Sequence, residues 1–140
     1  MDNRRSLMKS SAPLRIFIIE NHQDTLDAIK MFLEAQGHSV EVALDVKSAL
    51  KLAPQAKFDV LISDIGLPDG DGWELMKKLR EKIPGLKAIA MSGYGMRADL
   101  EKSKAAGFDS QLIKPFGPAE LSEALKKALA QKEVPSKKTS

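Results

Sequence analysis

Five residues carry side chains suited to handling a divalent cation and a phosphoryl group together: Glu20, Asn21, Asp64, Ser92 and Lys114. Glu20 and Asp64 bring carboxylates, Asn21 an amide oxygen, Ser92 a hydroxyl and Lys114 an ammonium. Oxygen donors of this kind suit a hard cation such as Mg2+, which takes a few protein oxygens and fills its other positions with water and phosphate. A hydroxyl and a lysine beside them can hold phosphoryl oxygens. A carboxylate at such a site can itself be the nucleophile and accept the phosphoryl group as an aspartyl phosphate. Each residue also has a plain structural role. Asp64 and Asn21 are favoured in turns, Ser92 caps helices well, and most lysines in the position of Lys114 are solvated. The two readings differ in where the fold puts these residues.

The positioning elements follow from the apolar pattern. The stretch from Phe58 to Gly72 sets the frame: the apolar run Val60-Leu-Ile62 stops at Ser63-Asp64, a turn-rich segment follows, and a helical pattern begins at Trp73. Such a run ending in a carboxylate predicts a buried strand with an acid at its C-terminal tip. Leu14 to Ile19 predicts a first strand ending at Glu20-Asn21. A helix with Leu26, Ile29 and Leu33 on one face follows and closes at Gly37. Ser39 to Ala43 alternates as a second strand. Asp45 is placed to cap a helix with Val46, Ala49, Leu50 and Ala53 on one face, ended by Pro54. Leu75, Met76, Leu79 and Ile83 mark the third helix, and Leu86 to Met91 the fourth strand, ending at Ser92-Gly93. Residues 95–106 predict a helix with a weak apolar face, Met96 and Leu100 being its only large apolar residues. Asp109 to Ile113 reads as the fifth strand, before Lys114-Pro115, and Leu121, Ala124, Leu125, Ala128 and Leu129 stripe the last helix.

Five β-α alternations predict an α/β fold: a doubly wound, five-stranded parallel sheet in the order 2-1-3-4-5 with five helices. Ligands bind such sheets at the C-terminal strand ends, and all five candidate residues fall there. The expected organisation is a disordered N-terminal tail over 1–13, one domain over 14–130 and a C-terminal tail over 131–140.

Composition removes other classes. The chain has 140 residues, 43% hydrophobic, and no cysteine, which excludes disulfides and thiolate chemistry. Its apolar runs are too short to cross a membrane. The net charge of +3 lies in the tails: Arg4, Arg5 and Lys9 oppose only Asp2, and Lys132, Lys137 and Lys138 oppose only Glu133. The central stretch is close to neutral, so no basic face for nucleic acid is expected. The Glu20-Asn-His-Gln-Asp24 segment has no glycine, unlike a nucleotide-binding loop. His22 and His38 show no ligand spacing and read as ordinary surface residues.

Ile18-Ile-Glu-Asn21, Asp64 with Leu67-Pro68 and Asp71-Gly72, Ala90-Met-Ser-Gly93 and Ile113-Lys-Pro-Phe116 together resemble the receiver domain of bacterial response regulators, the CheY-like fold of two-component signalling. The resemblance covers roughly residues 14–130. It implies that Asp64 accepts a phosphoryl group from a sensor histidine kinase or a histidine phosphotransfer protein. It further implies that Ser92 and Lys114 contact that group, with Lys114–Pro115 in cis, and that Glu20, Asn21, Asp64 and the Gly66 carbonyl hold Mg2+. Output would pass to an effector protein through the face of helix 4, strand 5 and helix 5. The protein would be cytoplasmic, bind neither nucleic acid nor membrane directly, and be no enzyme beyond accepting the phosphoryl group and losing it by autodephosphorylation. Three positions depart from the family pattern. Asn21 replaces a second acid. Gln111 stands where a switch aromatic is usual. Gly66 and Tyr94 occupy positions that influence how long the phosphoryl group lasts. The loss of charge at Asn21 leaves a second reading, a pseudo-receiver that binds partners without phosphorylation. A haloacid-dehalogenase-type phosphatase would want an aspartate where Gly66 stands.

Overall fold

The computed structural model describes residues 12–93 and 98–130; both tail expectations, and those for Tyr94 and Met96, lie outside them. The strands are β1 (Arg15–Ile19), β2 (Ser39–Ala43), β3 (Val60–Asp64), β4 (Ala88–Ser92) and β5 (Ser110–Ile113). The helices are α1 (Gln23–Ala35), α2 (Val46–Leu52), α3 (Gly72–Lys82), α4 (Ala98–Ala106) and α5 (Pro118–Ala130). The five strands form one parallel sheet in the order β2-β1-β3-β4-β5. This is the order expected from the sequence. Pro54 does not end α2 alone; it enters a single 3-10 turn at Ala53–Gln55 that extends the helix before β3.

Successive strand residues point to opposite faces, and here both faces are apolar. Phe17, Ile19, Leu61, Ala88 and Ala90 pack under α2, α3 and α4 with Ala49, Leu75, Met76, Leu79 and Ala106. Ile16, Ile18, Val60, Ile62, Ile89, Met91 and Leu112 pack under α1 and α5 with Leu26, Ile29, Leu33, Leu121, Ala124 and Ala128. Burial on both faces is why the strands read as continuous apolar runs and not as alternation. Each fully buried Ile, Leu or Phe contributes about 1.5–3 kcal/mol, so a one-residue slip of β1 or β3 is strongly opposed. That locks in register the residues that follow each strand.

Local chemistry sets the element ends. The Asp45 carboxylate accepts the Ser48 N–H at 2.8 Å and caps α2, as expected. Beyond α1, Gly37 adopts φ +94°, a left-handed conformation that glycine takes without steric cost. α4 has almost no apolar periodicity, and Leu100 is 41% exposed, in accord with the weak face read from the sequence.

The reading of His38 as a surface residue is corrected. It is buried, and its Nδ1 accepts the Leu14 N–H at 2.9 Å where β1 and β2 begin. Burial holds its pKa below the ordinary value. The unfolded chain therefore binds a proton that the folded chain refuses, and this contribution to stability is lost as pH falls below the ordinary histidine value of about 6.5. Urea denaturation of the wild type will show stability dropping across this range, and His38→Gln will have a flatter profile.

Candidate functional site

The site is assembled by three strand ends. β1 and β3 are neighbours, with Ile19 opposite Ser63, so Glu20 and Asp64 emerge side by side. β5 lies one strand further out, beyond β4, with Ile113 opposite Ser92. Lys114 follows β5 and reaches back across the end of β4. Its Nζ donates to Glu20 Oε1 and to Asp64 Oδ2, both at 2.9 Å. Glu20 is fully buried and Asp64 is 6% exposed, so both ion pairs lie largely out of water. The Lys114–Pro115 bond is cis.

The two carboxylates are held differently. Burial pushes Glu20 up, but the His22 N–H at 2.9 Å, Lys114 and the His22 ring outweigh it, and its pKa lies below the usual range. Burial pushes Asp64 up too, and the nearby Glu20 charge adds to this. Lys114 and a Gly66 N–H at 3.2 Å do not compensate, so Asp64 lies above the usual range. Burial lowers Lys114, but its bonds to Asp64 and Glu20 prevail and raise it, so the lysine is an ammonium. Of the pair, Glu20 is the saturated anion and Asp64 the more basic carboxylate, with fewer donors to hold it back.

Glu20, Asp64 and Lys114 thus come together as the sequence led us to expect. Ser92 is buried at the end of β4, and its Oγ accepts a hydrogen bond from Gln111 Nε2 at 2.9 Å. Among the described residues its hydroxyl proton has no acceptor. The other end of that amide, Gln111 Oε1, is buried with no partner among the described residues. Asn21 is exposed at the rim, and Gly66 is exposed in the loop after β3. His22 is exposed, as the sequence led us to expect, but it also borders the site: its Nδ1 lies 3.1 Å from Glu20 Oε2. Glu20, His22 and Asp64 each offer a ligand atom, all within 4.8 Å of one another. The signal available in the sequence was the spacing Glu-x-His directly after a strand end.

The loop between β3 and α3 is tied down on both sides. Gly66–Leu67 pairs antiparallel with Gly70–Asp71 in a small ribbon that the sequence pattern did not reveal. Its tip residue, Asp69, accepts the N–H groups of Val46 and Lys47 at 2.7 and 3.0 Å, so the loop helps to cap α2. Asp71 caps α3 through the Glu74 N–H at 2.8 Å. Gly72 N–H donates to the Ile65 carbonyl at 2.7 Å. A Cβ on Gly72 would lie 2.5 Å from the Asp64 carbonyl oxygen and 2.9 Å from Ile65 Cα.

Residues 16–126 match the model of the response regulator receiver domain. The chain belongs to that family. It is 35% identical over 116 residues to an uncharacterized 14.6 kDa protein of Leptolyngbya boryana, covering 81% of this chain and 88% of that one. It is 35% identical over 114 residues to the KDP operon transcriptional regulatory protein KdpE of Escherichia coli, again 81% of this chain but only 50% of the relative. Among solved structures, a CheY-like receiver domain protein of Methanospirillum hungatei superposes with a TM-score of 0.77 at 34% identity, covering 85% and 95% of the two chains. The response regulator TrrA of Thermotoga maritima, solved in complex with Mg2+–BeF, superposes at 0.72 with 30% identity, covering 81% and 97%.

The close approach at Gly72 gives a direct test of the loop. Gly72→Ala must displace the backbone that carries Asp64, and we expect it to cost about 1–3 kcal/mol, as overpacking does. Chemical denaturation measures this; a loss below about 0.5 kcal/mol, the level of a neutral surface change, would show that the loop yields freely.

Proposed function

We propose that the protein is a phosphoacceptor switch of a two-component phosphorelay, phosphorylated on Asp64 in a divalent-cation-dependent manner. The observation that carries this is the Lys114 bridge between two buried carboxylates at the sheet's C-terminal edge, in a chain of the receiver family. An Asp64 carboxylate oxygen attacks the phosphorus of a phosphohistidine on a sensor kinase or phosphotransfer protein. The P–O bond forms as the P–N bond breaks, and the freed imidazole leaves with the electron pair and takes up a proton. The raised pKa of Asp64 makes it the better nucleophile of the pair, whereas Glu20, saturated by donors, stays an anion. Lys114 moves from bridging two carboxylates to holding a phosphoryl oxygen, and the Ser92 hydroxyl donates to another. Glu20, Asp64, the Asn21 amide and the Gly66 carbonyl are the oxygens available to hold Mg2+, which when bound neutralises charge on the phosphoryl oxygens.

Output is proposed to leave through the face of α4, β5 and α5. A groove of about 840 Å3 lies there, with Leu100, Ile113 and Phe116 among its apolar lining. Gln111 lines this groove and also holds Ser92. Ser92 can donate to a phosphoryl group while still accepting from Gln111, so a shift of Ser92 toward that group draws the Gln111 amide, and the groove it lines, along with it. That is a physical path from Asp64 to the docking face, by an amide and not by a ring.

Incubation with acetyl phosphate and Mg2+, read by intact mass, is expected to add one phosphoryl group to the wild type and none to Asp64→Ala. No gain at high Mg2+, together with failure of beryllofluoride to bind, would reject the switch in favour of a pseudo-receiver. The protein's one tryptophan gives a second readout. Trp73 on α3 donates its Nε1–H to Ser103 of α4 at 3.0 Å, and Lys102 Nζ sits 4.7 Å above its ring. If phosphorylation shifts α4, Trp73 emission will change on adding acetyl phosphate, and Asp64→Ala will abolish the change.

A further inference from the structure

We propose that the cation site prefers a first-row transition-metal dication, of the Co2+ or Zn2+ class, to Mg2+, with the His22 imidazole as the selecting ligand. This rests on the reading above that Glu20 and Asp64 hold a divalent cation. It adds a ligand and an ion class that the oxygen donors alone do not specify.

The argument begins with charge. Mg2+ binds to proteins through charge and hard oxygens, and it gives up water reluctantly. The site has two carboxylates, and Lys114 cancels one of those charges through two 2.9 Å contacts. Asn21 adds an oxygen without charge. That leaves a net charge of −1, one unit short of what a third carboxylate at the position of Asn21 would give, so charge alone favours no dication strongly. A neutral imidazole improves that little, because its lone pair stabilises an ion through dative bonding. The gain goes to ions that accept nitrogen well, in the order of increasing affinity towards copper.

The geometry fits such a ligand. At metal–ligand distances of about 2.1 Å, ligands at right angles lie about 3.0 Å apart and opposed ligands about 4.2 Å apart. Nδ1 of His22 and Oε2 of Glu20 are 3.1 Å apart, and the Asp64 oxygen is within 4.8 Å of both, so a small side-chain adjustment brings all three onto one ion. The His22 side chain is 69% exposed and has room to adjust. His22 is the N-cap residue of α1 but makes no side-chain cap bond, so its ring is not committed to the helix. Its backbone N–H donates to the same Glu20 oxygen, which fixes carboxylate and ring within one turn of chain. Coordination through Nδ1 uses the tautomer that carries its proton on Nε2.

The test uses the full chain with Co2+ and Mg2+ as probes, titrated separately into wild type, His22→Ala and Glu20→Gln. The ring nitrogens of the two histidines are followed by NMR. His38, which accepts the Leu14 N–H at the opposite edge of the sheet, is the internal control. The expected result is Co2+ bound more tightly than Mg2+ by the wild type. The ratio should fall about 10- to 100-fold in His22→Ala, the size of effect seen when a metal site's ligand shell is disturbed. His22 resonances should be lost with Co2+ and those of His38 kept. An unchanged ratio in His22→Ala, with His22 resonances unmoved, overturns the inference while leaving a carboxylate cation site intact. No saturable binding of either ion, and no effect of Glu20→Gln, overturns this inference and the cation-dependent phosphorylation beneath it.

Discussion

The structure depends on one lysine. Two carboxylates as buried as Glu20 and Asp64 cannot stand side by side as anions without a counterion, since removing each charge from water costs several kcal/mol. Lys114 supplies that counterion to both at once. To do so it must start from the end of β5 and cross the end of β4. The arrangement is possible only if β1, β3, β4 and β5 lie in the observed order and end at the same level. The apolar packing of both sheet faces fixes that register, and the ammonium makes the resulting acidic cup tolerable. Fold and site are therefore specified by the same constraint.

Within the cup, burial acts on both carboxylates and hydrogen-bond donors separate them. Glu20 has the His22 N–H, the His22 ring and Lys114; Asp64 has Lys114 and one longer bond from Gly66. The less satisfied carboxylate is the more basic one, and it is also the less buried of the two. A reactive group next to an inert one of the same chemistry needs such an asymmetry. The second asymmetry lies at Ser92, whose hydrogen-bond donor is an amide with one end unsatisfied among the described residues. Buried polar atoms without partners are uncommon and costly, and this one sits between the site and the groove on the α4–β5–α5 face.

Much of this was legible in the sequence because its causes are local. The apolar runs ended near the strand ends, Asp45 capped where its type and place predicted, and Glu20, Asp64 and Lys114 met because each ends or directly follows a strand. The signals that were missed act over distance. His38 reads as a polar residue in a turn, and nothing in its neighbours shows that Leu14, 24 residues earlier, needs an acceptor. Asp69 reads as one more turn aspartate, although it completes a helix that began 23 residues before it. His22 is a surface residue as read, but its contact with the site was not legible: its partner is two residues away, and only the burial of Glu20 makes that contact matter. Gln111 could be recognised as unusual for the family, but its bond to Ser92 required the register of β4 against β5.

The clamp by Asp69 bears on how the chain acquires its structure. α2 has seven residues, too few to persist alone, since a helix of under about 12 residues is marginal in water. Asp45 satisfies one of its first N–H groups, and the next acceptors belong to the loop that follows β3. Without that loop the exposed N–H groups of Val46 and Lys47 are left to water. The helix gains its full cap only together with the strand that follows it, so the order of α2 is linked to that of the segment presenting Asp64. The loop is thus an assembly joint as well as the carrier of Asp64. Lengthening it by one residue would leave α2 short of its acceptors even if every residue of the site were kept.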